Sequence, residues 1–372
     1  MSREQVAIVG GGLAGLQAAR LLQAADVDFV LFEARGRLGG RILTTDAHGT
    51  PCADGFDLGP SWFWPQMQPA IGELVEELGL SAFAQTSEGD VLFERMLREG
   101  PRRYRGYPQE PQSMRITGGM AALVWALARD LPAERLLLNR RVTALTLADD
   151  AVTLTLAHGS QAPETYTVPQ VIAALPPRLL EANMTFTPAL QAETARRWRE
   201  TATWMAPHAK FHALYPRPFW RDAGLCGTAQ SMAGPMPEMH DATTASGQAA
   251  LFGFIGIPAS ARAKLGREAL RTACIEQFAR LFGMEARTPT ATIIKDWAAD
   301  ALTATAADAD TSAHPAPDSN TPWVDGPWQQ HLVLAGSETS PSEPGYLAGA
   351  VTATNLAARE ILARLRKSNR HG

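Results

Sequence analysis

Val6-Ala7-Ile8-Val9-Gly10-Gly11-Gly12-Leu13-Ala14-Gly15 stands near the amino end of the chain, and Phe29-Val30-Leu31-Phe32-Glu33 follows after a short polar break. Four apolar residues read as a buried strand, the glycines as a turn, and Leu13, Leu16, Ala19 and Leu22 as one face of a helix. A second strand over 27–32 then ends at Glu33. Within this strand–turn–helix–strand frame, GxGxxG has a physical purpose. Gly10 allows the tight turn, Gly12 lets the backbone approach a pyrophosphate, and Gly15 permits close packing of helix on strand. The helix N-terminus at Leu13 and Ala14 offers unpaired N–H groups and a partial positive charge to phosphate oxygens. Glu33 is placed to accept hydrogen bonds from both ribose hydroxyls, and its charge repels a 2′-phosphate, which disfavours NADP. The unit reads as a Rossmann-like dinucleotide site, and by itself it does not separate NAD from FAD.

The rest of the composition sets bounds. At 372 residues the chain exceeds the roughly 250–300 at which one core stops growing, so two lobes are expected. A net charge of −4 gives no electrostatic footprint for nucleic acid. No apolar run reaches the roughly 18–20 residues needed to span a bilayer, and no leader-like segment precedes the first strand. The three cysteines, Cys52, Cys226 and Cys274, are widely spaced and form no CxxC, so neither a disulfide framework nor a zinc site is expected. A cytoplasmic setting follows as an expectation. The basic carboxyl end (Arg364, Arg366, Lys367, Arg370) reads as a solvated tail after a helix. No spacing suggests a Ser/His/Asp triad or a metal site.

Glu33-Ala34-Arg35-Gly36-Arg37-Leu38-Gly39-Gly40-Arg41 continues from the second strand. It resembles, residue for residue, the E-A-R-x-R-x-G-G-R signature of the flavin-containing amine oxidase family, and so favours FAD. In that resemblance Arg35, Gly39 and Gly40 line the diphosphate, and Arg41 offers a fork of donors. Asp57-Leu58-Gly59-Pro60-Ser61-Trp62 resembles the family's D-L-G-G/P segment, whose backbone passes beside the flavin ring. Gly59, Pro60, Ser61 and Trp62 are therefore implied cofactor neighbours, with core packing the alternative for Trp62. Val142 sits where the family contacts adenine. At the carboxyl end, Ala335-Gly336-Ser337-Glu338 and Pro344-Gly345-Tyr346-Leu347-Ala348-Gly349-Ala350 are similar to the family's A-G-[ST]-E and S-G-Y-x-x-G-A. Gly336, Glu338, Gly345, Tyr346 and Leu347 are the implied contacts. A helix N-terminus there would favour negative charge on a reduced ring.

The resemblance implies an α/β fold: a Rossmann-like FAD-binding domain (1–65, 113–178 and 291–372) interleaved with an α+β substrate-binding domain (66–112 and 179–290), the amine oxidase architecture. By pattern, helices are expected around 71–80, 188–200 and 260–283, a hairpin of strands 136–147 and 151–156 around Asp149-Asp150, further strands over 166–175, 208–215 and 249–257, and a long loop over 300–322. Lys210 lies in Pro207-His208-Ala209-Lys210-Phe211-His212, ahead of Pro218-Phe219-Trp220. The family has a similar strand whose lysine holds a water at flavin N5. A desolvated lysine would have a lowered pKa suited to that task, and a strand-edge lysine facing solvent is the alternative. Alternation would put His208, Lys210 and His212 on one face. Tyr346 matches one of two cage aromatics, and Trp297 resembles the family's tryptophan near the flavin; core packing is the alternative for each. Lys210, Tyr346 and Trp297 are thus the candidate catalytic set.

The chain also departs from the family. Residues 301–310 contain no cysteine, so FAD is expected to be non-covalent, and the second cage aromatic of that segment is missing. The expected function is FAD-dependent oxidation of a small-molecule amine by hydride transfer, with oxygen or another acceptor taking the electrons. Alternatives are a same-fold desaturase or dehydrogenase acting on a non-amine, and a non-catalytic FAD-binding redox module.

Overall fold

The structure, a computed structural model, describes residues 5–159, 162–309, 314–316 and 321–371. Its contacts divide the chain into two compact units, 1–41 with 123–204 and 313–372, and 42–122 with 205–312.

The first unit is built on a parallel five-stranded sheet in the order Leu332–Leu334, Gln170–Ala173, Val6–Val9, Phe29–Phe32, Leu136–Leu137. The three inner strands are buried at every residue, as parallel strands covered on both faces must be. Val6–Val9 is central and runs straight into the glycine turn. The helix Leu13–Ala24 packs on the carboxyl-terminal helix Leu347–His371, where Thr354 Oγ1 donates to the Ala14 carbonyl at 3.2 Å. A second sheet, Glu164–Val168, Ala151–Ala157, Arg141–Ala148 and Thr185–Thr187, contributes the alternating apolar positions Val152, Leu154 and Leu156 to the same core.

The second unit carries a seven-stranded sheet in the order Ala291–Asp296, Ala209–Tyr215, Ala249–Ile255, Glu238–Asp241, Leu225–Ser231, Asp90–Glu94, Arg102–Tyr104. One face, with Phe211, Ala213, Met239 and Leu251, packs on Leu270, Cys274, Phe278 and Leu281 of the helix Arg267–Phe282. Phe252 and Phe254 belong to the opposite face, and there Phe252 and Leu214 pack with Phe56 and Leu58.

Several elements differ from the sequence expectation for local reasons. The strand expected over 136–147 is two: Leu136–Leu137 joins the parallel sheet, and after Asn139 turns the chain at φ 55° only Arg141–Ala148 enters the expected hairpin with Ala151–Ala157. That over 166–175 divides at Pro169, which lacks the ladder N–H, so Glu164–Val168 and Gln170–Ala173 enter different sheets. The helix over 260–283 breaks at Gly266 (φ 82°) into Ala259–Leu265 and Arg267–Phe282. Arg364, Arg366 and Lys367 lie within the last helix rather than in a tail beyond it. Part of the loop 300–322 (310–313 and 317–320) lies outside the described residues. The compact units also divide the chain elsewhere than the expected domains: Ala291–Asp296 pairs with Ala209–Tyr215, which places it in the second unit, and Ala192–Glu200 packs within the first.

Candidate active site

The residues singled out by sequence fall into two groups, one in each unit. In the first unit, Gly10 ends the central strand at φ 106°. A Cβ on Gly15 would lie 1.8 Å from the Gly10 carbonyl oxygen, so turn and helix meet only because that side chain is absent. Gly12 is different. Its Cβ position has no neighbour nearer than 3.9 Å, and the atoms at that distance belong to Gly39 and Gly40. Gly39 N–H donates to the Gly11 carbonyl at 2.8 Å, which sets the second pair of glycines beside the first. The helix Leu13–Ala24 has no side-chain cap and no acid in its first turn. Its first N–H groups, at Leu13, Ala14 and Gly15, therefore keep their partial charge for an outside anion.

Glu33 is buried beside this turn. Its Oε2 accepts the Gly11 N–H and its Oε1 the Arg35 N–H, both at 2.7 Å, and each oxygen keeps a lone pair in reserve. Arg41 presents its fork to the carboxyl-terminal motif: Nη1 donates to Glu338 Oε1 at 2.7 Å, and Nη2 to Ser337 Oγ at 3.0 Å. The Glu338 side chain has no solvent exposure, and Arg41 is its ion-pair partner. Gly336 is required by packing, since a Cβ there would meet the Leu175 carbonyl oxygen at 2.3 Å. Gly345 (φ 85°) lies against Trp204. Tyr346 is flanked by Trp204, ring centroids 4.6 Å apart, and by His314 at 5.2 Å. Leu347 begins the last helix, with no acid in its first turn. The Val142 side chain is in the core, and its backbone sits at a register shift between Val142 and Ala144.

In the second unit, Lys210 lies in the strand Ala209–Tyr215 and is 3% exposed, which excludes the solvent-facing alternative. Its Nζ meets the Gly59 carbonyl at 2.5 Å, Ser61 Oγ at 2.8 Å and the Asp57 carbonyl at 3.3 Å. Register places Phe254 directly across from it, and Nζ lies over the rings of Phe252 (4.7 Å) and Phe254 (5.2 Å). Burial pulls the ammonium down to about 7, against the opposing pull of Asp57. Near neutral pH the group is therefore shared between amine and ammonium. Ser61 suits both forms, accepting from the ammonium and donating to the free amine.

His212, two residues on, stacks on Phe252 at 5.3 Å, and burial holds its imidazole well below the ordinary range. His208 precedes the strand instead of sharing this face; its carbonyl accepts the Trp297 N–H. Trp297 is buried and braces the same segment, its Nε1 donating to the Leu58 carbonyl at 2.9 Å. Trp62 donates to Gln85 Oε1 at 2.9 Å and packs on His240 (4.7 Å) and Phe252 (5.5 Å). Pro60 lies between the two residues, Gly59 and Ser61, that hold Lys210. The arrangement is a buried amine of adjustable charge in an aromatic wall. Phe252, Phe254, His240, Arg115, Trp204 and His314 were not marked by the sequence, because no motif contains them and only cross-strand register or tertiary packing brings them in. Among the described residues no group of three or more His, Cys, Asp or Glu is placed to hold a metal.

The chain resembles known proteins over most of its length. Residues 101–362 match the family described as flavin containing amine oxidoreductase, and residues 8–78 match an NAD(P)-binding Rossmann-like domain. The chain is 28% identical to a Mycobacterium tuberculosis protein named "Putative flavin-containing monoamine oxidase AofH", across 97% of both chains. A putrescine oxidase of Kocuria rosea is 38% identical over 88 residues, 24% of this chain and 17% of that one. Among solved structures, wild-type putrescine oxidase bound to putrescine has a TM-score of 0.79 at 22% identity, covering 97% of this chain and 99% of its own. Cyclohexylamine oxidase of Brevibacterium oxydans has a TM-score of 0.78 at 19% identity, covering 98% and 100%. The structural likenesses establish the fold.

Proposed function

The chain belongs to the flavin-containing amine oxidoreductase family and is an oxidoreductase, and from that premise we propose that it oxidises a small-molecule amine using non-covalently bound FAD. The observation that carries the proposal is the meeting of the two terminal motifs in one unit. Arg41 and Glu338, 297 positions apart, form an ion pair, and the last helix hydrogen-bonds the first glycine-turn helix.

The residues present fit such a cofactor. The space over Gly12, the uncapped helix N-terminus and the pinned Glu33 suit a dinucleotide with an unphosphorylated ribose. Gly10, Gly12, Leu13, Ala14, Gly15, Glu33, Arg35, Gly39, Gly40 and Arg41 would hold the AMP and diphosphate end, with Val142 beside the adenine. Gly336, Glu338, Gly345, Tyr346 and Leu347 would hold the ring end, and Gly59, Pro60, Ser61 and Trp62 are assigned to the ring by the same reading. No cysteine occurs in 301–310, which supports non-covalent attachment. FAD, when bound, supplies the two-electron acceptor for a hydride equivalent from the amine's α-carbon. The chain's part is to bind the unprotonated amine, orient its C–H bond and exclude water. Tyr346 and Trp297 are assigned to the aromatic surroundings of the substrate. Lys210 is assigned to the oxidative half of the cycle, where an amine with a depressed pKa can hold and exchange a proton. A cytoplasmic setting belongs to the same reading; no helix among the described residues is long and apolar enough to cross a membrane.

Anaerobic mixing of the yellow protein with primary, secondary, poly- and amino-acid amines tests the substrate class. Bleaching by at least one of them is expected, and bleaching by none removes the amine reading. Lys210→Met is expected to retain FAD and slow reoxidation of the reduced flavin by about tenfold or more. Unchanged reoxidation in stopped flow removes the assignment of Lys210.

A further inference from the structure

The residue whose carbonyl meets Lys210 Nζ, Asp57, also carries a buried carboxylate. Its Oδ1 accepts the Thr44 hydroxyl at 2.6 Å and the Met120 N–H at 2.8 Å, and Thr44 Oγ1 in turn accepts the Ala121 N–H at 2.9 Å. Gly119 (φ 87°) packs against both side chains; a Cβ there would lie 2.4 Å from Thr44 Cγ2. The anchor is therefore closely built. Asp57 Oδ2, by contrast, is buried with no hydrogen-bond partner. Asparagine would accept the same two hydrogen bonds without the cost of burying a charge, so the anchoring role alone does not account for a carboxylate here.

The account lies at the other end of the residue. The Asp57 carbonyl, with Gly59 O and Ser61 Oγ, forms the set of oxygens around Lys210 Nζ. We propose that Asp57 is a positioning residue for Lys210: its side chain anchors the segment whose oxygens hold the amine, and its charge governs how readily that amine takes up a proton. The surrounding groups leave Asp57 this task. Arg115, from the strand Met114–Ile116, is buried and opposes protonation of Lys210; its donors go to the Thr243 and Ala242 carbonyls. His212 on the same strand is held neutral by burial. Lys295, across the sheet, is paired with Asp300. Phe252 and Phe254 carry no charge, and beyond them Glu238 is paired with His240. Asp241 is occupied by Trp220 and Arg221. Burial pushes the Asp57 carboxyl up, and Thr44, Arg115, Met120 and Lys210 hold it down in that order.

Because this rests on the proposed role of Lys210, the test reads the lysine itself. The chain has four lysines, 210, 264, 295 and 367, so lysine-selective isotope labelling of the FAD-loaded protein gives four side-chain signals, and Lys210→Met assigns the one of interest. In the wild type that signal should titrate near 7. In Asp57→Asn its midpoint should fall by about one unit, the low end of what one opposite charge contributes at short range. The acid limb of the reoxidation-rate profile should move by the same amount. Thr44→Val, which keeps the carboxylate but removes its hydroxyl donor, should move the midpoint in the same direction by less, and stands in if Asp57→Asn does not fold. A midpoint unmoved in a folded variant overturns the proposal; a lower FAD content or raised KM alone is what a purely structural Asp57 would give. If Lys210→Met reoxidises normally, the function of Lys210 falls while the titration still reports on Asp57.

Discussion

Lys210 is costly to bury, and the cost has a sign that can be measured. Its folded midpoint is about 7, and an unperturbed lysine titrates near ~10.4. Between those values the unfolded chain holds a proton that the folded chain lacks. Stability therefore climbs as pH rises through that window and is lowest, for this residue, below it. Lys210→Met removes the climb, so urea midpoints of wild type and variant should converge between pH 7 and 10, with the variant ahead at pH 7. Parallel curves would mean that the lysine is not desolvated. The chain's other cation-rich positions are mostly arginine, and that scarcity of lysine is what marks Lys210 in the sequence. Its three oxygen partners are not marked, because Asp57, Gly59 and Ser61 lie about 150 positions away. Similarly, nothing local to Tyr346 announces Trp204 and His314.

At the scale of elements, the glycine turn and its helix show how closely local sequence can dictate packing. Gly15→Ala inserts a methyl where the Gly10 carbonyl oxygen already stands, and both the strand and the first two turns of the helix are buried. Strand and helix must separate, at a cost of about 1–3 kcal/mol or more. Calorimetry should show a lower Tm together with reduced FAD content; a variant with full flavin and an unchanged Tm would mean the contact is slack. Elements were readable where periodicity and punctuation agree. Phe29–Phe32 and Ala209–Tyr215 fall where pattern puts them, as does the Asp149-Asp150 turn, where both residues adopt positive φ. They were misread where one apolar run serves two sheets. Leu136–Leu137 and Arg141–Ala148 look continuous in sequence, yet they pair with different partners. Apolar periodicity reports burial and is silent about which sheet does the burying.

At the scale of the molecule, Arg41 is one of the polar links that join distant segments within the first unit, reaching Ser337 and Glu338. Arg41→Ala would leave the Glu338 carboxylate buried with Ser337 as its remaining side-chain donor. Breaking a fully buried pair costs ~3–5 kcal/mol; because Arg41 is partly exposed, about 2–3 kcal/mol is expected. FAD that binds only the folded chain should raise the wild-type Tm as its concentration increases, by mass action. Arg41→Ala should lose most of that rise. An equal rise in both proteins would show that the carboxyl-terminal motif takes no part in binding.

The sequence by itself determined the Rossmann-like unit and the family, because each is written in residues adjacent along the chain: glycines whose missing side chains permit the turn, and motifs whose spacing a backbone turn imposes. The tertiary structure decided the environment of those residues. It set Asp57, Arg115 and the aromatic wall around Lys210, joined Arg41 to Glu338, and drew the boundaries of the two units. Desolvation, charge pairing and sheet register act through space between segments far apart in sequence, so no local pattern carries them.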